Sequence, residues 1–119
     1  MNIKKPISLL AAASLSFAAN AQVVLINPFT VPEGHVEETL VFWETARDFL
    51  QEEDGYVSTN LHKALSEGAT FEFINVAIWE SEDSFKKATG NMQAYFKENG
   101  IRAPEGVKND PALYQVIRN

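Results

Sequence analysis

Few residues in this chain carry reactive chemistry. The 119 residues include two histidines and no cysteine, which removes thiol nucleophiles and disulfides from consideration. His62 falls in a segment of extended character and is the imidazole best placed to take a proton from a weak acid such as a phenol; the plainer role is a strand histidine facing solvent. Asn27 and Asn75 each offer an amide that can hydrogen-bond a substrate oxygen, although Asn27 could equally satisfy a local turn. Trp79 supplies a flat apolar wall with one N–H donor, or is simply core. Phe73 shares an alternation face with Asn75 and Trp79, while Trp43 and Tyr95 add aromatic surface from predicted helices. His35 and Glu38 are spaced to meet at a helix start, but two ligands do not make a metal site and no metal is expected. No phosphate-cradling glycine loop, nucleophile elbow, carboxylate pair or Cys/His cluster occurs.

The elements that must position these side chains follow from periodicity. Residues 23–30 are β-branched and apolar and predict a first strand, with Leu25, Asn27 and Phe29 on one side and Val24, Ile26 and Pro28 on the other. Because Pro28 has no N–H to give, the strand is expected at an edge, or to end its regular pairing there. Over 35–52, Val36, Leu40, Trp43, Ala46 and Leu50 recur at helical steps opposite a row of acids. Asp54-Gly55 closes that helix. Residues 56–65 and 70–79 predict an antiparallel hairpin joined by Ser66-Glu67-Gly68-Ala69. Ser81 caps a second helix reaching Gly100, with a hesitation at Gly90. After a loop over 101–111, residues 112–118 predict a fourth strand. The order β-α-β-β-α-β is the ferredoxin-like α+β arrangement with an antiparallel sheet.

The predicted third strand is apolar on both faces: Phe73, Ala77 and Trp79 on one, Ile74, Val76 and Ile78 on the other. A lone antiparallel sheet with helices on one side leaves its other side wet and polar. Since no sequence remains to build another layer, a second copy of the chain is expected to cover that face, giving a homodimer.

At the N-terminus, Lys4 and Lys5 precede an apolar run from Ile7 to Ala19 that ends in Ala19-Asn20-Ala21. This is the layout of a cleavable secretory signal, and the run is shorter than the roughly 20 residues a membrane-spanning helix needs. Cleavage after Ala21 is expected, leaving residues 22–119 as one domain, periplasmic or secreted. The alternative, a buried N-terminal helix, lacks a polar face. Cleavage removes two lysines and no acid, so the net charge of −6 becomes 8 basic against 16 acidic residues, or −8. That balance argues against nucleic acid or an anionic membrane surface as partner.

Several of these features coincide in order. They are Ile26-Asn27-Pro28-Phe29-Thr30-Val31-Pro32, the helix bearing Trp43, Asp54-Gly55-Tyr56-Val57 entering a strand with Leu61-His62-Lys63-Ala64, and Phe73-Ile74-Asn75-Val76-Ala77-Ile78-Trp79-Glu80-Ser81 leading to Phe85. Together they resemble the antibiotic biosynthesis monooxygenase (ABM) family. The resemblance implies a dimeric α+β barrel with a pocket between sheet and helices in each subunit, and it places Asn27 and Trp79 at pocket positions. It also implies a small apolar or aromatic ligand and a cofactor-independent monooxygenase acting on an aromatic, phenolic or quinol compound. In such a reaction Asn27, Asn75 and His62 are expected to stabilise the substrate anion that meets dioxygen. A non-catalytic binding module for an apolar ligand is the alternative. Haem-degrading relatives use a histidine from the second helix, and none occurs between Ser81 and Gly100; Tyr95 would be the substitute oxygen ligand, though core packing is its plainer role. No cofactor is expected.

Overall fold

A computed structural model describes residues 21–119. The expected signal segment, apart from Ala21, lies outside them. In chain order the elements are β1 (Val23–Thr30), α1 (Val36–Leu50), β2 (Tyr56–Lys63), β3 (Phe73–Trp79), α2 (Glu82–Asn99), β4 (Lys108–Asn109) and β5 (Ala112–Tyr114). The sheet runs β2-β3-β1-β4, with β5 also paired to β1, and every pairing is antiparallel. This is the ferredoxin-like α+β topology.

β1 is central rather than at an edge, which corrects one of the two expectations drawn from Pro28. It pairs with β3 over its length from Val23 to Phe29. On its other side the partner changes: β5 covers Val24 to Ile26, and β4 covers Phe29 and Thr30. Pro28 sits at that break, where its carbonyl accepts from Asp110 N at 3.1 Å. The donor that proline lacks is therefore not called for. The same break corrects the single last strand expected over 112–118. Pro111 splits the edge into two short pieces, and residues 115–119 carry no strand.

The hairpin forms, but its arms are shorter than expected because residues 64–72 make a wide connection, closed by Ala64 N donating to Glu72 O at 2.9 Å. Phe71, expected in β3, falls in that connection and is exposed. A second departure has more consequence. The β2–β3 register shifts between Tyr56 and Ser58, so an extra residue reverses the facing of the strand's first position. Tyr56 consequently shares a face with Thr59 and Leu61, not with Asn60 and His62 as simple alternation had it.

α1 begins at Val36 without a side-chain cap, and Thr39, fully buried, turns its hydroxyl to His35 O at 2.7 Å. α2 is better delimited. Ser81 Oγ accepts from Ser84 N at 3.1 Å in a capping box, and Gly100 ends the helix at φ +66°. The helix passes through Gly90 without interruption. On its exposed side Lys86 lies 3.0 Å from Glu82; that hydrogen bond, and then the carboxylate's charge, raises the Lys86 pKa. The core is a compact cluster of Leu25, Ala77, Trp79 and Ala88, bordered by Val23, Leu50, Tyr56, Phe85 and Leu113. Val24, Ile26, Ile74, Val76 and Ile78 occupy the opposite face of the sheet and are half-buried. No helix among the described residues is long and apolar enough to cross a membrane.

Candidate functional site

Register places the site. Asn27 of β1 stands directly across from Asn75 of β3, with Leu25 across from Ala77 and Phe29 across from Phe73. These residues point to the helix side of the sheet. Of α1, only Thr39 is fully buried, while Phe42, Trp43, Ala46, Arg47 and Leu50 are half-buried. The reason is a cavity of about 350 Å³ between that helix, α2 and the sheet, which all five line. Its size falls at the low end of the roughly 300–1,000 Å³ of small-molecule sites.

The walls are aromatic. Trp79 is only 1 % exposed and is clamped edge-to-face between Tyr56 (ring centroids 5.5 Å apart, 89°) and Phe85 (5.7 Å, 77°). Phe42 meets Phe96 edge-on at 5.7 Å across the two helices. Such contacts hold the rings in one orientation and are each worth about 0.5–1.5 kcal/mol beyond burial.

Two amides interrupt this surface. Asn75 is buried, and its Oδ1 accepts from Thr59 Oγ1 at 2.8 Å. Asn27 is different: its Oδ1 is buried and has no hydrogen-bond partner. An acceptor left in that state costs roughly 1–3 kcal/mol. A ligand hydroxyl donating to Oδ1 removes this cost, and a turn of the amide offers Nδ2–H to an ionised ligand oxygen instead; that is what a binding site, unlike a core, leaves room for. The one charged side chain in the lining is Arg47, whose guanidinium lies 5.2 Å from the Trp43 ring centre.

Of the residues singled out from the sequence, the cavity brings together Asn27, Asn75, Trp79 and Trp43. Phe73 is buried beside it, next to Phe29, without lining it. Tyr95 is exposed on the outside of α2, against Phe49 at 5.2 Å. His62 is not brought to the site. It is paired with Ile74 on the opposite face of the sheet, exposed, with Nδ1 3.2 Å from Ile74 O. Among the described residues, the cavity lining contains no histidine, aspartate or glutamate. The imidazole that would hold a haem iron is therefore missing from it. His35 and Glu38 approach to 3.3 Å, and among the described residues no group of three potential metal ligands forms.

Sequence reasoning passed over Arg47, Tyr56 and Thr59. Arg47 had a signal: it continues the row Leu40, Trp43, Leu50 at helical spacing, and a charge in an apolar stripe is out of place unless it serves something. Tyr56 had none, since only the bulge turns it inward. Thr59 became meaningful once Asn75 proved to be buried and in need of a partner.

The residues 22–98 match the family described as antibiotic biosynthesis monooxygenase. Among solved structures, a protein of Shewanella loihica PV-4 with a provisional monooxygenase assignment is 46% identical. That comparison covers 84% of this chain and 98% of the other, with a TM-score of 0.73. SnoaB of Streptomyces nogalater, a cofactor-independent oxygenase, shares the fold at 20% identity, over 82% of this chain and 95% of its own, with a TM-score of 0.66. A variant of MhuD with two manganese protoporphyrin IX molecules per active site does so at 22% identity, over 82% and 96%, with a TM-score of 0.62. Among curated proteins none matches. The family match spans most of the described chain and the 46% identical structure covers the same region, and the chain belongs to the antibiotic biosynthesis monooxygenase family.

Proposed function

We propose that the protein is an exported, homodimeric monooxygenase that acts without a cofactor on a small aromatic phenol or quinol. The observation that carries this is the orphaned Asn27 amide in an aromatic cavity of about 350 Å³. In this reading the cavity strips water from the substrate and orients its ring against Trp79, while the Asn27 and Asn75 amides hold its oxygens. The substrate anion itself is the reductant. One atom of dioxygen forms a new bond to a ring carbon, and the other leaves as water with two hydrogens from the substrate. With His62 on the far face, no imidazole or carboxylate in the lining takes the phenolic proton. The substrate must then ionise to solvent before or during entry, and stabilisation of the resulting anion, not general base catalysis, is the protein's contribution.

Family membership and the likeness to an oxygenase fold support oxygen chemistry. The missing base favours one rival: a module that holds an apolar ligand without turning it over. Dioxygen uptake by the purified protein with a panel of quinols and anthrone-like phenols separates the two. Uptake beyond the spontaneous rate supports the enzyme, whereas a ligand-induced rise in melting temperature without uptake supports the binder. A haem-handling role has no support in the lining, and the lack of a Soret shift on adding haemin would dispose of it.

Export and dimerisation belong to the same proposal. β1 starts two residues beyond the expected cleavage point after Ala21, so removing residues 1–21 would cost the fold no strand. The half-buried aliphatic face of Val24, Ile26, Ile74, Val76 and Ile78 suits the sheet of a second copy. An intact-mass measurement on protein from the cell envelope tests the first, with an N-terminus at Gln22 expected and retention of Met1 against it.

A further inference from the structure

Arg47 gives the cavity a selectivity that its apolar walls cannot. It stands on the cavity-facing stripe of α1, its side chain 36% exposed, at the cavity wall beside Trp43. Among the described residues no other charged side chain lines the space. A cation in an otherwise apolar lining is costly to desolvate unless an anion meets it. Its protein partner is Asp48, its own neighbour in sequence. Arg47 Nε and Nη2 both reach the same Asp48 Oδ1 at 3.0 Å. Such an exposed pair contributes little, and it leaves Nη1 of the guanidinium fork uncommitted.

A planar guanidinium beside an indole is suited to receive a carboxylate through two parallel N–H bonds, one from Nη1 and one from the second N–H of Nη2. The Trp43 ring, 5.2 Å from the guanidinium carbon, restrains the side chain by a cation–π contact, which reduces the freedom lost on binding. An anion at this wall would gain more from Arg47 than Asp48 does, because the cavity side is less hydrated than the outer face of the helix. The whole chain, at a net charge of −6, repels anions, so this single cation must account for any preference the cavity shows.

We infer that the cavity takes an aromatic hydroxy acid, its carboxylate on Arg47 and its hydroxyl on the asparagine pair. This rests on the cavity being the ligand site, and it narrows the phenols of the proposed function to those that also carry a carboxylate. Arg47 is thus a specificity residue and takes no part in the oxygen chemistry.

The test is calorimetric titration of the purified protein with a matched pair, hydroxynaphthoate and naphthol, which differ by the carboxylate. The expected result is at least tenfold tighter binding of hydroxynaphthoate. Arg47→Met should reduce that gap to twofold or less. Equal affinity for the two compounds in the unaltered protein overturns the inference but leaves the cavity as the phenol site, and so does a gap that survives in Arg47→Met. If neither compound binds, the inference falls together with the ligand-site reading beneath it. Should Arg47→Met fail to fold, Asp48→Asn decides. Removing the competing carboxylate should tighten hydroxynaphthoate at least twofold and leave naphthol alone, and an unchanged hydroxynaphthoate affinity overturns the inference.

Discussion

Asn27 and Asn75 are chemically identical and lie across from each other, yet their surroundings divide their roles. Thr59 fixes Asn75 through a 2.8 Å bond, which makes it a rigid anchor. Asn27 Oδ1 has no partner and is free to re-form around a ligand. Asn27→Ala should therefore lower the rate of dioxygen uptake about tenfold or more while leaving stability unchanged or slightly raised, because an unsatisfied buried group is removed. Steady-state uptake together with a thermal melt reads both effects, and a large fall in melting temperature would contradict the division of roles. Trp79→Phe should reduce uptake too, but with a loss of stability, since the ring is clamped by Tyr56 and Phe85. His62→Ala should leave uptake within about twofold; a strong loss would return the base to the account. At this scale the sequence was readable for Asn27, Asn75, Trp43 and Trp79, whose positions follow from strand alternation and helix spacing. It misled for His62 because residue type suggested chemistry while facing decided it. Tyr95 showed the same gap between type and placement, an aromatic on the outer side of its helix.

At the scale of elements, two glycines make opposite predictions from the same substitution. Gly55 has φ +90°, and a Cβ there would run into the Ser84 side chain, so the turn from α1 into β2 and the start of α2 both need it. Gly55→Ala should destabilise the fold by about 1–3 kcal/mol. Gly90 lies exposed inside α2 with nothing near the place of a Cβ. Gly90→Ala should stabilise by about 0.5–1 kcal/mol, since alanine has the higher helix propensity and less freedom to lose. Urea denaturation of both variants reads the two signs, and equal effects would count against the assigned conformations. The helices and the first three strands were legible because each has a sustained period and a capping or turn residue. The ends of β2 and β3 were not, since Leu65 and Phe71 continue the apolar pattern into a connection where they are exposed. The bulge at Val57 left no mark in composition. The last strand was misjudged for a similar reason: a run compatible with β structure does not pair past Tyr114.

For the whole molecule, the two-faced β3 was the most telling stretch of sequence, because both halves of its alternation are apolar and only one has helices to cover it. The exposed side chains of Tyr114, Val116 and Ile117 extend this apolar character toward the C-terminus. Light scattering at micromolar concentration should give twice the chain mass, and a monomer there would contradict the homodimer. Under the proposed function, this fold turns a phenol and dioxygen into product with its own side chains. The most direct measurement is turnover of a quinol by metal-stripped, cofactor-free protein under isotopically labelled dioxygen, with product analysed by mass spectrometry. One labelled oxygen atom per product molecule is expected, at a rate that falls about tenfold or more in Asn27→Ala. Label-free product, or incorporation equally fast in that variant and without protein, would contradict it and leave a binding protein in its place.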